Sequence, residues 1–194
     1  MNHLVIMAKA PEAGRVKTRL ARDIGVVEAT RVYRAILSTT MRRLAPDPRW
    51  HTWIAAAPDR SAHSPIWPDS VSIAAQGTGN LGERMQRVFQ CMPRGPVIIL
   101  GSDIPNIAPD EIASSFRELG RNDAVIGPAP DGGYWLIGQR RSPRILQIFK
   151  NVRWSGPHAM ADTLANLRGA NVGLVGQKGD VDTQEDYRAW RSRG

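Results

Sequence analysis

An apolar run, Val97-Ile98-Ile99-Leu100, stops abruptly at Gly101-Ser102-Asp103-Ile104-Pro105. A strand this apolar is buried on both faces, as in a parallel sheet. A carboxylate just past its carboxyl end sits where open α/β sheets bind ligands. Pro105 fixes its own φ and biases Ile104 away from helix, so the chain turns there. Asp103 at such a corner suits a hard cation that is itself bound to phosphate oxygens, although a turn-forming or helix-capping Asp would look the same. A second acidic segment, Gly179-Asp180-Val181-Asp182-Thr183-Gln184-Glu185-Asp186, follows the last apolar run. Capping accounts for Thr183 and Asp186 but not for Asp182, which is expected to meet Asp103 at one sheet edge. Asp180 is the alternative partner.

Three further segments could contact a ligand. After the first apolar run comes Lys9-Ala10-Pro11-Glu12-Ala13-Gly14-Arg15-Val16-Lys17-Thr18-Arg19. A strand, a Gly14-containing loop and a helix start make an anion cradle of backbone N–H groups, and Lys9, Arg15, Lys17 and Arg19 add cations for phosphates. Neither the Walker A pattern nor Gly-x-Gly-x-x-Gly is present. Gln76-Gly77-Thr78-Gly79-Asn80-Leu81-Gly82-Glu83-Arg84 lets the backbone approach a ligand closely, with Gln76, Gly77, Gly79 and Arg84 as candidates and Asn80 as a helix cap. Gly127-Pro128-Ala129-Pro130-Asp131-Gly132-Gly133-Tyr134-Trp135 places Asp131 beside an aromatic pair, which reads as a sugar- or acceptor-facing rim or as a hairpin turn.

The elements that must position these residues alternate. Strands are expected at Leu4 to Ala8, Thr52 to Ala56, Val71 to Ala75, Val97 to Leu100, Ala124 to Ile126, Tyr134 to Ile137 and Val172 to Val175. Helices are expected over Val27 to Leu44, Leu81 to Met92, Pro109 to Leu119, from Pro157 to near Arg168, and after Thr183. The alternation predicts one α/β domain over residues 1–194, a mostly parallel twisted sheet with helices on both faces. The stretch from Pro58 to Pro68 reads as a loop.

Bulk composition narrows the class. A chain of 194 residues can bury a substantial core without staples. Cys91 is the only cysteine, so no internal disulfide forms, and a reducing, cytoplasmic setting is expected. No apolar run is long enough for a membrane span. The net charge of +8 comes from arginines spread along the chain, with only Arg140, Arg141 and Arg144 clustered, so a dedicated nucleic-acid role is not expected. The four histidines are scattered without metal-ligand spacing, and no Ser-His-Asp arrangement is visible.

Taken in order, five segments resemble the bacterial glycosyltransferase-like family of the GT-A, or nucleotide-diphospho-sugar transferase, superfamily, some of whose members are labelled arsenosugar-biosynthesis glycosyltransferases. The matching residues are Ala-Lys-Ala-Pro-x-x-Gly-x-Val-Lys-Thr-Arg-Leu, Gln-Gly-x-Gly-x-Leu-Gly-Glu-Arg-Met, Gly-Ser-Asp-x-Pro, Gly-Pro-Ala-x-Asp-Gly-Gly-Tyr and Asp-Val-Asp-Thr-x-Glu-Asp, from Met7 to about Tyr187. The resemblance implies a Rossmann-like GT-A fold and a transferase using a nucleotide-sugar donor with Mg²⁺ or Mn²⁺. The alternatives are a nucleotidyltransferase consuming a nucleoside triphosphate and a non-catalytic nucleotide-binding protein. It implies Asp103 and Asp182 as metal ligands. Lys9, Gly14, Arg15, Lys17, Arg19, Gln76, Gly77, Gly79, Arg84 and Ser102 would face the nucleotide. Gly132, Gly133, Tyr134 and Trp154 would face sugar or acceptor, a small molecule of open identity, with Asp131 as the acceptor-side base. A homodimer is compatible with this reading. Asn80 stands where the family pattern has Asp, Gly156 where it has Thr, and Trp135 follows Tyr134 where another residue is more usual.

Overall fold

A computed structural model describes residues 1–192. The strands are β1 (His3–Lys9), β2 (His51–Ala57), β3 (Ser72–Ala75), β4 (Val97–Gly101), β5 (Ala124–Pro128), β6 (Tyr134–Gln139) and β7 (Val172–Leu174). The helices are α1 (Thr18–Ile24), α2 (Val26–Leu44), α3 (Leu81–Cys91), α4 (Pro109–Arg121), α5 (Ala159–Asn166) and α6 (Gln184–Arg191). The strands form one seven-stranded sheet in the order β3-β2-β1-β4-β6-β5-β7. The β1–β2, β1–β4, β2–β3 and β5–β7 pairs are parallel, and only β6 runs against its neighbours. The expected mostly parallel α/β sheet is the one observed.

Side-chain alternation along the central strands sorts the core onto two faces. Leu4, Ile6, Ile98 and Leu100 pack on one face with Tyr33, Leu37 and Met41 of α2 and Ile112, Phe116 and Leu119 of α4. Val5, Val97, Ile99 and Ile137 pack on the other with Met85, Val88 and Phe89 of α3. Both faces are covered by helices, which is why these strands read as unbroken apolar runs.

Two elements depart from the sequence expectations, and the Asp131 segment takes one of its two expected forms. The Pro58–Pro68 stretch contains a 3-10 turn at Asp59–His63. The helix expected from Pro157 begins at Ala159 and ends at Asn166. The Asp131-Gly132 turn is a true hairpin: Ala129 N–H donates to the Gly133 carbonyl at 3.0 Å and β5 pairs antiparallel with β6. Because β6 is antiparallel, its start and the hairpin tip lie at the same sheet edge as the carboxyl ends of β1 and β4.

At the opposite edge, His3 is buried. Its Nδ1 accepts from Trp53 Nε1 at 3.3 Å, and its Nε2 lies 3.4 Å from the Arg94 carbonyl, which fits a neutral ring protonated at Nε2. Burial pushes its pKa below the ordinary 6.5, the Arg94 carbonyl opposes that, and the N-terminal amine, His51 and Arg141 add to it. The unfolded chain therefore binds the proton more readily, so His3 contributes stability above its unfolded pKa that is lost as pH falls through the folded value. Urea midpoints are expected to drop between about pH 7.5 and pH 5.5 more steeply for the native chain than for His3→Gln, since the unperturbed imidazole titrates between them.

Candidate functional site

The centre of the site is a buried ammonium. Lys17 Nζ donates to Asp103 Oδ2 at 2.7 Å and lies 3.4 Å from Asp180 Oδ2 and 3.3 Å from Asp182 Oδ1. The Lys17 side chain is 3% exposed, while the three carboxylates keep 30–40% of their surface. Arg19 Nη1 reaches the other oxygen of Asp182 at 3.1 Å. Asp103 and Asp182, expected to meet from their positions past apolar strands, thus share one nitrogen, and Asp180 joins them.

Each element delivers its group for a local reason. Asp103 leaves β4 where Ile104 and Ile107 turn inward and become buried. In the acidic segment Val181 is 2% exposed and plugs into a cluster with Leu20, Ala29, Val32 and Ile36 of α1 and α2. Anchoring the middle residue of Asp-Val-Asp aims both neighbours at Lys17. Thr183 then caps α6, accepting from Asp186 N–H at 3.2 Å, and Asp186 in turn accepts from the N–H of Thr183 at 2.8 Å and of Asp182 at 3.1 Å. Lys17 itself holds φ 47° and ψ 46°, a left-handed conformation that is costly for a residue with a Cβ. Its burial between Val16 and Leu20, together with the ion contacts, holds it there.

Electrostatics follow from this packing. Burial pulls the Lys17 pKa down, but Asp103, Asp180 and Asp182 more than offset it, so the ammonium ends above its ordinary value. Burial pushes the Asp180 carboxyl up, Lys17 opposes that, and Asp103 and Asp182 add to it. Among the described residues no three His, Cys, Asp or Glu side chains form a ready-made metal cage. The donor chemistry nevertheless fits a hard cation: carboxylate oxygens converge on a point now filled by an ammonium, and Mg²⁺ or Mn²⁺ takes one or two carboxylates plus phosphate oxygens.

The glycine loops flank this centre on the β1–β2–β3 side. In the first loop the cations divide. Lys17 and Arg19 face the aspartates, whereas Arg15 pairs with Glu12 at 3.1 Å, and Glu12 also holds Arg60 at 3.3 Å. Of the four cations expected to serve phosphates, Lys17 is here an internal counter-ion, since three carboxylates outcompete solvent for it. Lys9 is exposed and Gly14 takes φ 76°. Ser102 is buried and lies 2.9 Å from Tyr33 Oη, which donates to the Lys9 carbonyl at 2.9 Å and accepts from Lys9 N–H at 3.0 Å. Ser102 and Tyr33 brace the first loop against β4.

The second loop is braced from beneath. Gln76 is buried and donates to the Ala55 carbonyl at 2.7 Å and the Ala8 carbonyl at 3.3 Å, so its side chain ties β1, β2 and the loop together and does not point outward. Arg87 donates to the Gln76 carbonyl at 2.6 Å and the Thr78 carbonyl at 3.1 Å, and Arg84 to the Gly79 carbonyl at 2.9 Å. Gly77 N–H donates to Asp59 at 2.9 Å. Asn80 and Glu83 complete a capping box on α3, a role Asn fills as well as Asp. Gln76, Arg84 and Asp59 thus shape the loop, the last two by holding the backbone of Gly79 and Gly77. Tyr33, Asp59 and Arg87 escaped the sequence reading, because a lone polar residue on a helix or turn carries no signal of what it will reach.

On the other side of Asp103 a cavity of about 240 Å³ opens at the β4–β6 edge. Asp103, Asp131 and Asp180 line it, with Gly133, Tyr134 and Trp154. Asp131 Oδ1 accepts from Gly133 N–H at 3.0 Å, and its side chain is exposed at the hairpin tip. Gly132 touches the Pro157 carbonyl so closely that a Cβ would lie 2.4 Å from it. Both residues of the aromatic pair line the cavity, although their rings part. Tyr134 meets Trp154 at 6.5 Å between centroids, whereas Trp135 joins the core of the opposite sheet face, as successive strand residues must. The Arg140–Arg144 cluster lies elsewhere: Arg140 pairs with Asp123, and Arg141 donates to the carbonyls of Met92, Pro93 and Gly95.

Lys17→Met is expected to lower stability at pH 7 by about 2 kcal/mol, less than a fully buried pair would lose because the carboxylates keep contact with water. The deficit should shrink toward about pH 4.5, as Asp180, whose carboxyl burial pushes up, takes up its proton. Urea denaturation at both values makes the comparison.

No helix of the described residues is long and apolar enough to cross a membrane. No curated protein matches the chain. Among solved structures, a protein from Desulfovibrio desulfuricans G20 provisionally named a nucleotide-diphospho-sugar transferase is 30% identical, over 97% of this chain and 85% of its own, with a TM-score of 0.89. A 4-diphosphocytidyl-2C-methyl-D-erythritol synthase from Anaerococcus prevotii is 10% identical over 100% and 97% of the two chains, TM-score 0.63. An inositol-1-phosphate CTP transferase from T. maritima is 10% identical over 96% and 91%, TM-score 0.60. These two share the fold. Residues 40–156 match the model of a family described as uncharacterized protein conserved in bacteria, DUF2064. With the nucleotide-diphospho-sugar transferase fold and the family model in agreement, the chain belongs to the DUF2064 family.

Proposed function

We propose that the protein is a transferase that uses a nucleotide-activated sugar donor and a divalent cation. The observation that carries this reading is the convergence of Asp103, Asp180 and Asp182 on one cation position at the carboxyl edge of β4, between braced glycine loops and a cavity. The loops after β1 and β3 offer backbone N–H groups and cations to a nucleotide diphosphate. The cavity beyond Asp103 would take the sugar and the acceptor.

Asp103 and Asp182 would hold Mg²⁺ or Mn²⁺, which when bound supplies positive charge against the departing diphosphate. Lys17 is the residue that changes partner in this reading. Freed from the carboxylates, its ammonium would lie beside the phosphates, where a charge-assisted bond strengthens as charge develops on the leaving oxygen. Arg19 holds Asp182 in place. The acceptor heteroatom bonds the anomeric carbon. The bond from that carbon to the diphosphate oxygen breaks, its electron pair leaves on the diphosphate, and the acceptor proton goes to Asp131. For that, Asp131 must keep one oxygen clear of the Gly133 amide, and its second oxygen is clear of that contact.

Calorimetric titration of nucleoside diphosphates with and without Mn²⁺ tests the site directly. Nucleotide and cation should each tighten the other by the same factor. Asp103→Asn should keep the fold, lose that coupling and reduce turnover roughly a hundredfold, the scale of one lost transition-state stabiliser. Equal nucleotide affinities with and without Mn²⁺ would sink the proposal. Pyrophosphate release from a nucleoside triphosphate would instead mark nucleotidyl transfer.

A further inference from the structure

The cavity beyond Asp103 has a lining that is unusual for a sugar-phosphate or carboxylate site. Its walls are Met7, Met85, Ile99 and Ile137, closed by Tyr134 and Trp154. Its charged lining residues are Asp103, Asp131 and Asp180, and among the described residues no lysine, arginine or histidine lines it. Two ammonium groups lie beside lining residues: Lys17 is 3% exposed and already shared by Asp103 and Asp180, and Lys178, 5.8 Å from the Trp135 ring, is paired with Glu111 at 2.9 Å. The Tyr134 hydroxyl is also committed. Tyr134 Oη lies 3.4 Å from Thr163 Oγ1, and burial holds its pKa above the ordinary phenol range.

The walls are fixed in place as well. Trp154 stacks obliquely on Phe149 at 5.9 Å and meets Tyr134 edge-on. Gly82 is required beneath it, because a Cβ there would come within 2.7 Å of the indole. The flat faces of Tyr134 and Trp154 are therefore part of the framework, and an apolar or aromatic group can pack on them at little ordering cost.

The sheet order separates this cavity from the nucleotide side. Both glycine loops follow β1 and β3, in the β3-β2-β1 half, and none of their residues from Lys9 to Arg19 or Gln76 to Asn80 lines the cavity. The cavity lies mainly against β4 and β6, with Met7 of β1 and Leu81 and Met85 of α3 on its near wall and Asp103 on the boundary. We infer, resting on the transferase reading, that the acceptor is a neutral or cationic small molecule with an apolar body, carrying no phosphate or carboxylate. An anionic acceptor would place its charge beside Asp131 and Asp180 with no protein cation in the lining to pair with it, and a divalent cation on Asp103 would be engaged by the donor diphosphate. Burying a charge unpaired is costly, whereas an uncharged hydroxyl needs only one acceptor such as Asp131.

Three probes sharing one ring isolate the charge: benzyl alcohol, benzylamine and benzyl phosphate. Binding to the full-length protein is measured by ligand-observed NMR in metal-free buffer. The alcohol and the amine are expected to bind at least about tenfold more tightly than the phosphate, a gap of ~1.4 kcal/mol. Asp131→Asn, on an exposed turn, should narrow the gap, and Trp154→Ala should weaken alcohol binding about tenfold, which a ~1.4 kcal/mol loss of ring packing produces. Thermal denaturation checks that Trp154→Ala folds, and Asp131→Asn carries the test if it does not. Phosphate binding as tight as alcohol binding would overturn the inference, as would no binding of the alcohol and amine or a gap unchanged by Asp131→Asn. The probes need no nucleotide. Failure of every nucleotide to bind would therefore overturn the donor reading while the preference of the cavity is still read.

Discussion

One buried ammonium organises the ligand edge of this protein. Removing Lys17 from water costs several kcal/mol of ion hydration, and only close carboxylates recover it. Asp103, Asp180 and Asp182 do so from two chain segments more than seventy residues apart in sequence. The contact therefore staples the first loop to the end of the central strand and to the approach of the last helix. Much around it follows from that demand: the left-handed backbone at Lys17, the buried Val181 between two aspartates and the short α1 beginning at Thr18.

The same cluster divides the edge into two unlike halves. On the β1–β3 side polar side chains are spent on the protein itself. Gln76, Arg84, Arg87, Asp59 and Tyr33 satisfy loop backbone groups and hold the glycine loops in shape. Loops already ordered in this way lose less freedom when a ligand arrives. On the β4–β6 side the antiparallel β6 brings a hairpin and two aromatic rings to the edge, and the lining becomes apolar with carboxylates at its margin. Charged and apolar compartments on either side of one cation position form a division that suits a two-substrate reaction.

The arginine excess is also accounted for by position. Arg141 donates to the carbonyls of Met92, Pro93 and Gly95, Arg49 bridges Asp47 and Asp110, and Arg153 holds Asp162. The Arg141 and Arg49 bonds tie turns and helix ends together at the opposite sheet edge, and the Arg153 bond fixes the segment that carries Trp154. A sequence count of cations cannot separate such ties from a ligand-binding surface, because both use the same residue type.

What the sequence by itself determined is the set of elements and the edge at which they act. Apolar runs ending in Asp or Gly, helical spacing in α2, α3 and α4, and the Thr183 cap were all legible, because they depend on neighbours a few residues away. Asp103 was legible because it stands just past a strand, and Asp182 because the capping of α6 leaves it without a local role. What only the tertiary structure decided is which polar groups face one another. Lys17 turned inward to three carboxylates, Ser102 and Gln76 were absorbed into bracing, and Tyr134 and Trp135 separated onto opposite faces of the sheet. Those outcomes depend on competition between partners distant in sequence, and a buried charge goes to whichever carboxylates the packed fold brings within reach.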